Sequence, residues 1–250
     1  MIVTKKLRKY IRSLHLNKYR QKYNKFIAEG PKVCSEFIDR QKYKIEFLIC
    51  TQDWYDDNQD SIKSLGNKIV IASDKDLQSI SCMQKANKTL IVADSASDNE
   101  IDLTAISSQW TIYTDKIQDP GNMGTIIRIA DWYGIKTLIA SKDSVDYYNP
   151  KVIQSAMGSH NRLELISIDA SDLPIESMNA FALALGGKNI MNVSDEDSTN
   201  GLIVMGNESQ GINLDLLERC SHKVSIEKKG GAESLNVSVA CGIACQVLLT

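Results

Sequence analysis

Three short blocks of glycine and polar residues lie in the second half of the chain, each near the end of a short apolar run. They are residues 119–124, which lead to Arg128, residues 206–211, and residues 233–240. Such turns expose backbone N–H and C=O groups to a ligand, whereas strands and helices use these groups internally. Arginine among carboxylate, amide and hydroxyl side chains can hold an anionic group and stabilise developing negative charge. Three blocks of this kind indicate a composite site.

The sequence around the blocks predicts alternating strands and helices that would position them. The predicted strands are 110–113, 136–140, 163–168, 180–185, 202–205 and 224–226, and the predicted helices are 122–133, 152–157, 214–220 and 236–249. Continuous apolar strands between helices are typical of a mostly parallel sheet covered on both faces. Ligands of such sheets bind beyond the carboxyl ends of the strands, and all three blocks follow predicted strands. The sequence contains neither G-x-G-x-x-G nor a P-loop motif, which disfavours a standard dinucleotide-binding fold and a P-loop enzyme.

The first half of the chain predicts a smaller α/β unit. Its predicted strands are 26–28, 45–49, 69–71 and 89–93, and its helical patterns are 7–16, where Asn17 can end the helix, 18–24, 33–40 and 74–83. Residues 94–109 then become small, acidic and polar, a change that is typical of a domain boundary. We therefore predict an N-terminal domain at 1–100 and a C-terminal domain at 108–250.

Positive charge is concentrated at the N-terminal end of the chain. Residues 1–44 contain thirteen Lys and Arg but three Asp and Glu, a balance of +10, so the other residues carry −12 of the total of −2. Nine of these cations alternate with Tyr10, Tyr19 and Tyr23, namely Lys5, Lys6, Arg8, Lys9, Arg12, Lys18, Arg20, Lys22 and Lys25. A basic stripe with aromatic residues favours a nucleic-acid partner. The alternative is a solvated helix face.

Composition indicates an ordinary globular protein, with 43% hydrophobic and 24% charged residues. No apolar run approaches the ~20 residues that span a bilayer, and no signal peptide is recognisable, so we expect a cytoplasmic protein without membrane contact. The three histidines and six cysteines lack the spacing of metal ligands, and we predict no metal site.

The three blocks resemble the three motifs of the SpoU-type RNA ribose 2′-O-methyltransferases, a family of the SPOUT class. The pattern N-x-G-x-x-x-R at 122–128 resembles the first motif, residues 202–211 resemble the second, and S-L-N-V-S-x-A at 234–240 resembles the third. Residues 155–159 match a subsidiary block between the first two motifs. Residues 26–30 resemble, more loosely, the start of the ribosomal-protein-like RNA-binding domain that often precedes this family's catalytic domain. The resemblance covers 110–250 well, and three motifs in order are highly specific.

This resemblance implies an α/β catalytic domain with a parallel sheet and a deep trefoil knot, preceded by a small α/β RNA-binding domain. It also implies S-adenosylmethionine as the cofactor, RNA as the partner, and an active site that is completed across a homodimer. Residues expected to bind the cofactor are Gly206, Ile226 and Leu235, through main-chain atoms, with Asn207 and Gly211. Residues expected to line the catalytic side are Arg128, Glu208, Ser234, Asn236 and Asn122. The chain departs from the family at Glu227, where an apolar residue or proline is common.

The chemistry of methyl transfer agrees with these roles. A ribose oxygen must approach the methyl carbon in line and lose its proton, so positioning supplies much of the rate. The family assigns the base to the residue at Arg128, but guanidinium stays protonated in proteins. Arg128 could instead clamp a phosphate and stabilise the alkoxide, with Glu208 as its ion-pair partner and Asn236 bonded to the ribose or to Arg128. The sulfonium cofactor is already activated, so no metal is required.

Each of these residues also has a structural alternative. Asn122 could be a helix N-cap, Gly206 and Gly211 could serve turns alone, and Ser234 and Asn236 could cap the last helix. Arg128 lies between isoleucines, and a charge embedded there would be costly unless it is paired, which favours a functional role. We predict methylation of a ribose 2′-hydroxyl in RNA, with ribosomal RNA favoured over tRNA. The alternatives are a base-methylating SPOUT enzyme and a non-catalytic RNA-binding or ribosome-assembly factor.

Overall fold

The computed structural model describes residues 3–96, 106–193 and 200–250. The chain divides into two compact units, one formed by Met1–Asp98 with Tyr148–Asn161 and the other by Asn99–Tyr147 with Arg162–Thr250. Most of the predicted boundary at 94–109 lies outside the described residues.

The first unit is a four-stranded mixed sheet with helices. Its helices are α1 (Lys5–Ser13), α2 (Asn17–Tyr23), α3 (Pro31–Arg40), α4 (Gln52–Ile62), α5 (Asp74–Ile80) and α7 (Pro150–Ala156), with 3₁₀ segments at Lys63–Lys68 and Ser159–Asn161. Its strands are β1 (Lys25–Glu29), β2 (Ile45–Cys50), β3 (Ile69–Ile71) and β4 (Thr89–Asp94), in the order β1-β4-β2-β3. β4 is antiparallel to β1 and β2, and β3 is parallel to β2.

Two apolar clusters, one containing Phe26 and Phe37 and the other Ile11 and Leu14, form the core of the first unit. The subsidiary block predicted at 155–159 belongs to this unit, where Gly158 packs against α3. A Cβ atom on Gly158 would lie 2.7 Å from the Cβ of Glu36, and the residue has a φ of +92°, so glycine is needed for this close approach.

The second unit carries the candidate site on a six-stranded sheet. Its strands are β5 (Thr111–Thr114), β6 (Thr137–Ala140), β7 (Glu164–Ser167), β8 (Ala180–Asn189), β9 (Leu202–Met205) and β10 (His222–Ser225). Its helices are α6 (Pro120–Trp132), α8 (Leu214–Arg219) and α9 (Val237–Leu249), with 3₁₀ segments at Ala170–Asp172, Ile175–Ser177 and Ile190–Asn192. The strand order is β10-β8-β9-β5-β6-β7, and every neighbouring pair is parallel, which confirms the predicted sheet.

Several predicted elements differ from the structure for local reasons. The prediction missed α4, because this helix is polar and buries little besides Trp54 and Ile62. Asn17 begins α2 rather than ending α1, which stops at Ser13. β8 continues to Asn189 rather than ending at 185, because it pairs with β10 on both sides of an irregularity in register.

Helix α6 begins as its sequence dictates. The Asp119 side chain accepts a hydrogen bond from the Asn122 backbone N–H (2.8 Å), and Pro120 occupies the first helical turn, where no N–H is needed. Gly134, with a φ of +72°, follows the helix and provides the left-handed turn that the sequence predicted there. The N-cap is therefore Asp119, and the alternative role of Asn122 as N-cap was wrong.

Candidate active site at the carboxyl edge of the parallel sheet

Two of the three blocks follow adjacent strands in the middle of the sheet. Thr114, the last residue of β5, pairs with Met205, the last residue of β9, so both loops leave the sheet at the same level. The Asn207 side-chain amide donates to the carbonyl oxygen of Lys116 (2.7 Å) and thereby joins the two loops. Lys116 adopts a left-handed conformation with a φ of +56°, which aims this carbonyl at the second loop.

The loop after β9 is closed on itself. Asn207 and Gly211 exchange two backbone hydrogen bonds, both 2.9 Å long, and the Asn207 Oδ1 accepts from the N–H groups of Ser209 (2.9 Å) and Gln210 (3.0 Å). A Cβ atom at Gly206 would lie 2.3 Å from the backbone of Gly211, so only glycine fits there. The side chain of Asn207, predicted to bind the cofactor, thus makes its hydrogen bonds within the protein and shapes the loop.

Asp115 binds the segment that directly follows this loop, and it was not predicted from the sequence. Its carboxylate is buried and accepts a hydrogen bond from the Asn213 N–H (2.8 Å) at the start of α8. Burial, and then the charge of Asp115, raise the pKa of the neighbouring Tyr113, which keeps that side chain neutral. The sequence signal for Asp115 was its position directly after the fully buried strand β5.

Three predicted catalytic side chains form one hydrogen-bonded row. The Asn236 side-chain amide donates to the Asn122 Oδ1 (2.9 Å), and the Asn122 amide donates to the Glu208 Oε1 (2.9 Å). The row joins the start of α6, the loop after β9 and the start of α9. Glu208 and Asn236 are exposed and Asn122 is half-buried, so a ligand can reach the row.

The N-cap of α9 fixes the direction of this row. The Asn236 Oδ1 accepts from the N–H groups of Ser238 (2.9 Å) and Val239 (3.3 Å) and from the Ser238 hydroxyl (2.6 Å). The Asn236 amide nitrogen must therefore face Asn122, and the nitrogen of Asn122 in turn faces Glu208. Asn236 is the helix cap that one alternative proposed, and the same side chain also belongs to the row.

Arg128 lies apart from this row. It is exposed on α6, so the argument that its charge is embedded among isoleucines was wrong. Among the described residues no hydrogen bond or ion pair engages its guanidinium, and the predicted pair with Glu208 is absent. Six residues along a helix correspond to about 9 Å along the axis and about 120° around it, so Arg128 and Asn122 point in different directions.

The remaining predicted residues lie near the third block. Ile226 directly follows β10 and is half-buried, whereas residues 227–236 are all exposed. Within the described part of the chain, the hydroxyl of Ser234 makes no hydrogen bond, so the structure does not make it a helix cap. Leu235 is 49% exposed. Neither residue is joined to the row except through the chain at Asn236.

The described residues offer few other kinds of site. In residues 3–96, 106–193 and 200–250, no group of three or more His, Cys, Asp or Glu side chains could hold a metal ion. None of the helices in these ranges is long and apolar enough to span a bilayer.

Comparison with known proteins covers both halves of the chain. The sequence model of the SpoU rRNA Methylase family matches residues 109–246, and that of the MRM3-like substrate binding domain matches residues 6–91. The 23S rRNA (guanosine(2553)-2′-O)-methyltransferase RlmP of Bacillus subtilis is 25% identical over 237 residues, which are 93% of this chain and 91% of that protein. The 23S rRNA (guanosine-2′-O-)-methyltransferase RlmB of Coxiella burnetii is 29% identical over 72% of this chain and 76% of its own length.

A solved structure has the same fold. The AdoMet-bound rRNA methyltransferase of Sinorhizobium meliloti superposes with a TM-score of 0.85 over 98% of this chain and 95% of its own, at 24% sequence identity. This likeness extends over both compact units and supports the α/β architecture described above.

Proposed function

Because the chain belongs to the SpoU rRNA methylase family, we propose that it methylates a ribose 2′-hydroxyl of ribosomal RNA with S-adenosylmethionine. The family model covers more than half of the chain, and a substrate-binding domain precedes it. The observation that carries the proposal is the row of Asn122, Glu208 and Asn236, in which one side chain from each motif meets at the carboxyl edge of the sheet. Relatives named as rRNA methyltransferases support RNA as the partner.

The loops at this edge fit a cofactor that is held by main-chain groups. Gly206 admits no side chain, because a Cβ atom there would collide with the Gly211 backbone, and residues 227–236 are exposed. Gly206, Gly211, Ile226 and Leu235 would hold the cofactor, while the Asn207 side chain keeps the second loop in shape. S-adenosylmethionine, when bound, supplies an electrophilic methyl group on a sulfonium.

The chain's own residues would position the ribose. Glu208 retains acceptor capacity beyond the bond from Asn122, and Ser234 has a free hydroxyl in the described part of the chain, so both can contact a ribose hydroxyl. Arg128 would clamp the adjacent phosphate and stabilise the negative charge that develops on the attacking oxygen. Its exposure and lack of a partner among the described residues suit this role. A guanidinium that stays protonated does not suit the role of base.

The separation of Arg128 from the row supports a homodimer in which one protomer supplies Arg128 to the row of its partner. Arg128 shares its face of α6 with Trp132, whose side chain is 84% exposed, and Leu235 and Val239 are also exposed near the start of α9. Exposed aromatic and aliphatic side chains around a functional residue are typical of a covered interface. A second copy would bury them and complete the site.

Two further features follow from the family. We propose that the chain carries the trefoil knot, which is consistent with β9 lying between β8 and β5 and with α9 returning to pack on α6. We also propose a cytoplasmic location, because the proposed ribosomal RNA substrate would be present there.

The proposed function is tested by transfer of labelled methyl from S-adenosylmethionine to unmodified ribosomal RNA, followed by alkaline digestion. A 2′-O-methyl group blocks cleavage of the adjoining phosphodiester, so we expect label in alkali-resistant dinucleotides. Arg128→Ala should lower the rate by about 100- to 1,000-fold, the usual cost of losing a group that stabilises developing charge. Arg128→Lys should recover part of it.

Lys136→Ala is the matched control, because Lys136 is an exposed cation at the opposite, amino end of β6. This variant should keep the wild-type rate. Full activity of a folded Arg128→Ala protein would contradict the role of Arg128. Label in ordinary mononucleotides would indicate base methylation and contradict the proposed function.

A further inference from the structure

The structure separates the N-terminal cations into two groups. Three are used within the first unit: Arg8 pairs with Asp76 (2.7 Å), the buried Arg20 donates to the carbonyls of Leu14 (3.0 Å) and His15 (2.9 Å), and Lys25 pairs with Asp94 and Glu46. Six others are exposed and form no ion pair with the described residues, namely Lys5, Lys6, Lys9, Arg12, Lys18 and Lys22. These six residues on α1 and α2, together with Tyr19 and Tyr23, are called the α1–α2 face below.

An aromatic array lies on the same two helices. The ring of Tyr23 meets Tyr10 edge-on, with centroids 5.4 Å apart and planes at 75°, and stacks against Tyr19 at 6.2 Å and 13°. Lys18 and Lys22 place their ammonium groups 4.9 and 5.7 Å from the ring centroids of Tyr19 and Tyr23. On α2, exposed lysines thus lie beside the aromatic rings.

Contacts within the first unit hold the aromatic array in place. The Tyr10 hydroxyl donates to the Glu46 carboxylate (2.9 Å), and burial together with Glu46 raises the pKa of Tyr10. Tyr23 ends α2, and Asn24 follows it in a left-handed turn with a φ of +50°. Tyr23 nevertheless remains 40% exposed, so its ring is oriented by the protein but accessible to a ligand.

We propose that the α1–α2 face binds an unpaired segment of the RNA substrate, with phosphates on the six cations and a base stacked on Tyr23. This inference rests on the proposed function and adds the substrate-contacting surface of the first unit. Phosphate contacts alone would suit a duplex equally well, but stacking on an aromatic ring requires a base that is free of its own stack. The combination of planar rings and free cations therefore favours single-stranded RNA.

The test measures the affinity of the full-length protein for fluorescent RNA, without cofactor. The probes are an unstructured single strand of about 12 nucleotides, within the usual site size of single-strand binders, and a duplex of the same sequence. Tyr23→Leu should weaken single-strand binding by about 5- to 150-fold, the range expected for loss of one base stack. Tyr23→Phe should restore it, and duplex binding should change little in either variant.

The cations are tested through salt dependence. Replacing Lys5 and Lys9 by Ala should flatten the plot of log affinity against log salt by about 1.4, because each phosphate contact on a single strand contributes about 0.7. Lys63→Ala, an exposed cation beyond α4, should leave the slope unchanged. Far-UV circular dichroism and melting verify that each variant is folded.

The results separate this inference from the proposed function, since binding is measured without methyl transfer. Tyr23-dependent binding of the single strand would support the α1–α2 face even if no methyl were transferred. Equal single-strand affinity of wild type, Tyr23→Leu and Lys5→Ala/Lys9→Ala would overturn it even if methylation proceeded. Stronger competition by polyglutamate than by single-stranded RNA would identify an acidic protein partner and also overturn it.

Discussion

Replacement of Gly206 by alanine tests whether the second loop must approach itself as closely as the structure indicates. A Cβ atom at this position would lie 2.3 Å from both the Gly211 carbonyl carbon and the Ile212 nitrogen. Ordinary contact begins at 3.4 Å, so these backbone atoms must move by about 1.1 Å. The obstacle is backbone rather than a flexible side chain, and it cannot be relieved by a change of rotamer.

The energetic cost follows from the hydrogen bonds that this movement breaks. Asn207 and Gly211 exchange two bonds of 2.9 Å, which would lengthen to about 4 Å and be lost. At about 0.5–1.5 kcal/mol each, the variant should lose about 1–3 kcal/mol of stability in the loop. If unfolding is cooperative, this corresponds to a fall in melting temperature of about 2–12 °C.

The same cost should appear in cofactor binding, because the ligand would have to restore the native loop. An energy of 1–3 kcal/mol corresponds to a Kd for S-adenosylmethionine that is about 5- to 150-fold higher, measurable by isothermal titration calorimetry. Gly242→Ala is the control. Gly242 lies inside α9, and its Cβ would meet its nearest neighbour, Ile129 of α6, at an ordinary contact distance of 3.7 Å. That variant should bind normally and melt no lower than wild type. An unchanged Kd and melting temperature in Gly206→Ala would refute the reasoning.

Two further predictions concern the supporting loop and the assembly. Lys116→Gly should raise the free energy of unfolding by about 0.5–1 kcal/mol, because glycine relieves the left-handed φ of +56° while the Lys116 carbonyl still accepts the hydrogen bond from Asn207. Lys116→Ala should not raise the free energy of unfolding. Equal stability of the two variants by chemical denaturation would contradict the role of φ. Trp132→Glu should convert the dimer into a monomer, measured by light scattering at micromolar concentration, and should abolish methyl transfer. Leu185→Glu, at a leucine that is 79% exposed, should do neither. A wild-type monomer would count against the shared site.

Much of the fold follows from local patterns in the sequence. The strands β5, β6 and β9 of the second unit are short, mostly apolar runs that are buried in full, which is why a parallel sheet was predicted correctly. Helix caps are also local: Gly134 ends α6 and Asn213 caps α8 as their positions suggested. The polar helix α4 was missed because its sequence contains almost no apolar periodicity.

The sequence by itself determined the family and the chemistry, and the match to the SpoU rRNA Methylase family confirms the prediction of an RNA methyltransferase. Motifs are strings of residue types, so three of them in order can be recognised in the sequence without knowledge of the geometry. Only the tertiary structure decided how they meet. Asn122 contacts Glu208 and Asn236 across 86 and 114 positions of sequence, and no local pattern specifies the direction of those bonds.

The structure also decided which charges are available. Arg8 and Lys25 resemble their neighbours in the sequence, yet their partners Asp76 and Asp94 lie on distant elements that folding brings to them. Arg128 looked buried among isoleucines, but a helix turns consecutive residues to different sides and leaves it exposed. Residue types are a property of the chain, whereas burial and pairing depend on contacts between distant segments, and those contacts exist only in the folded molecule.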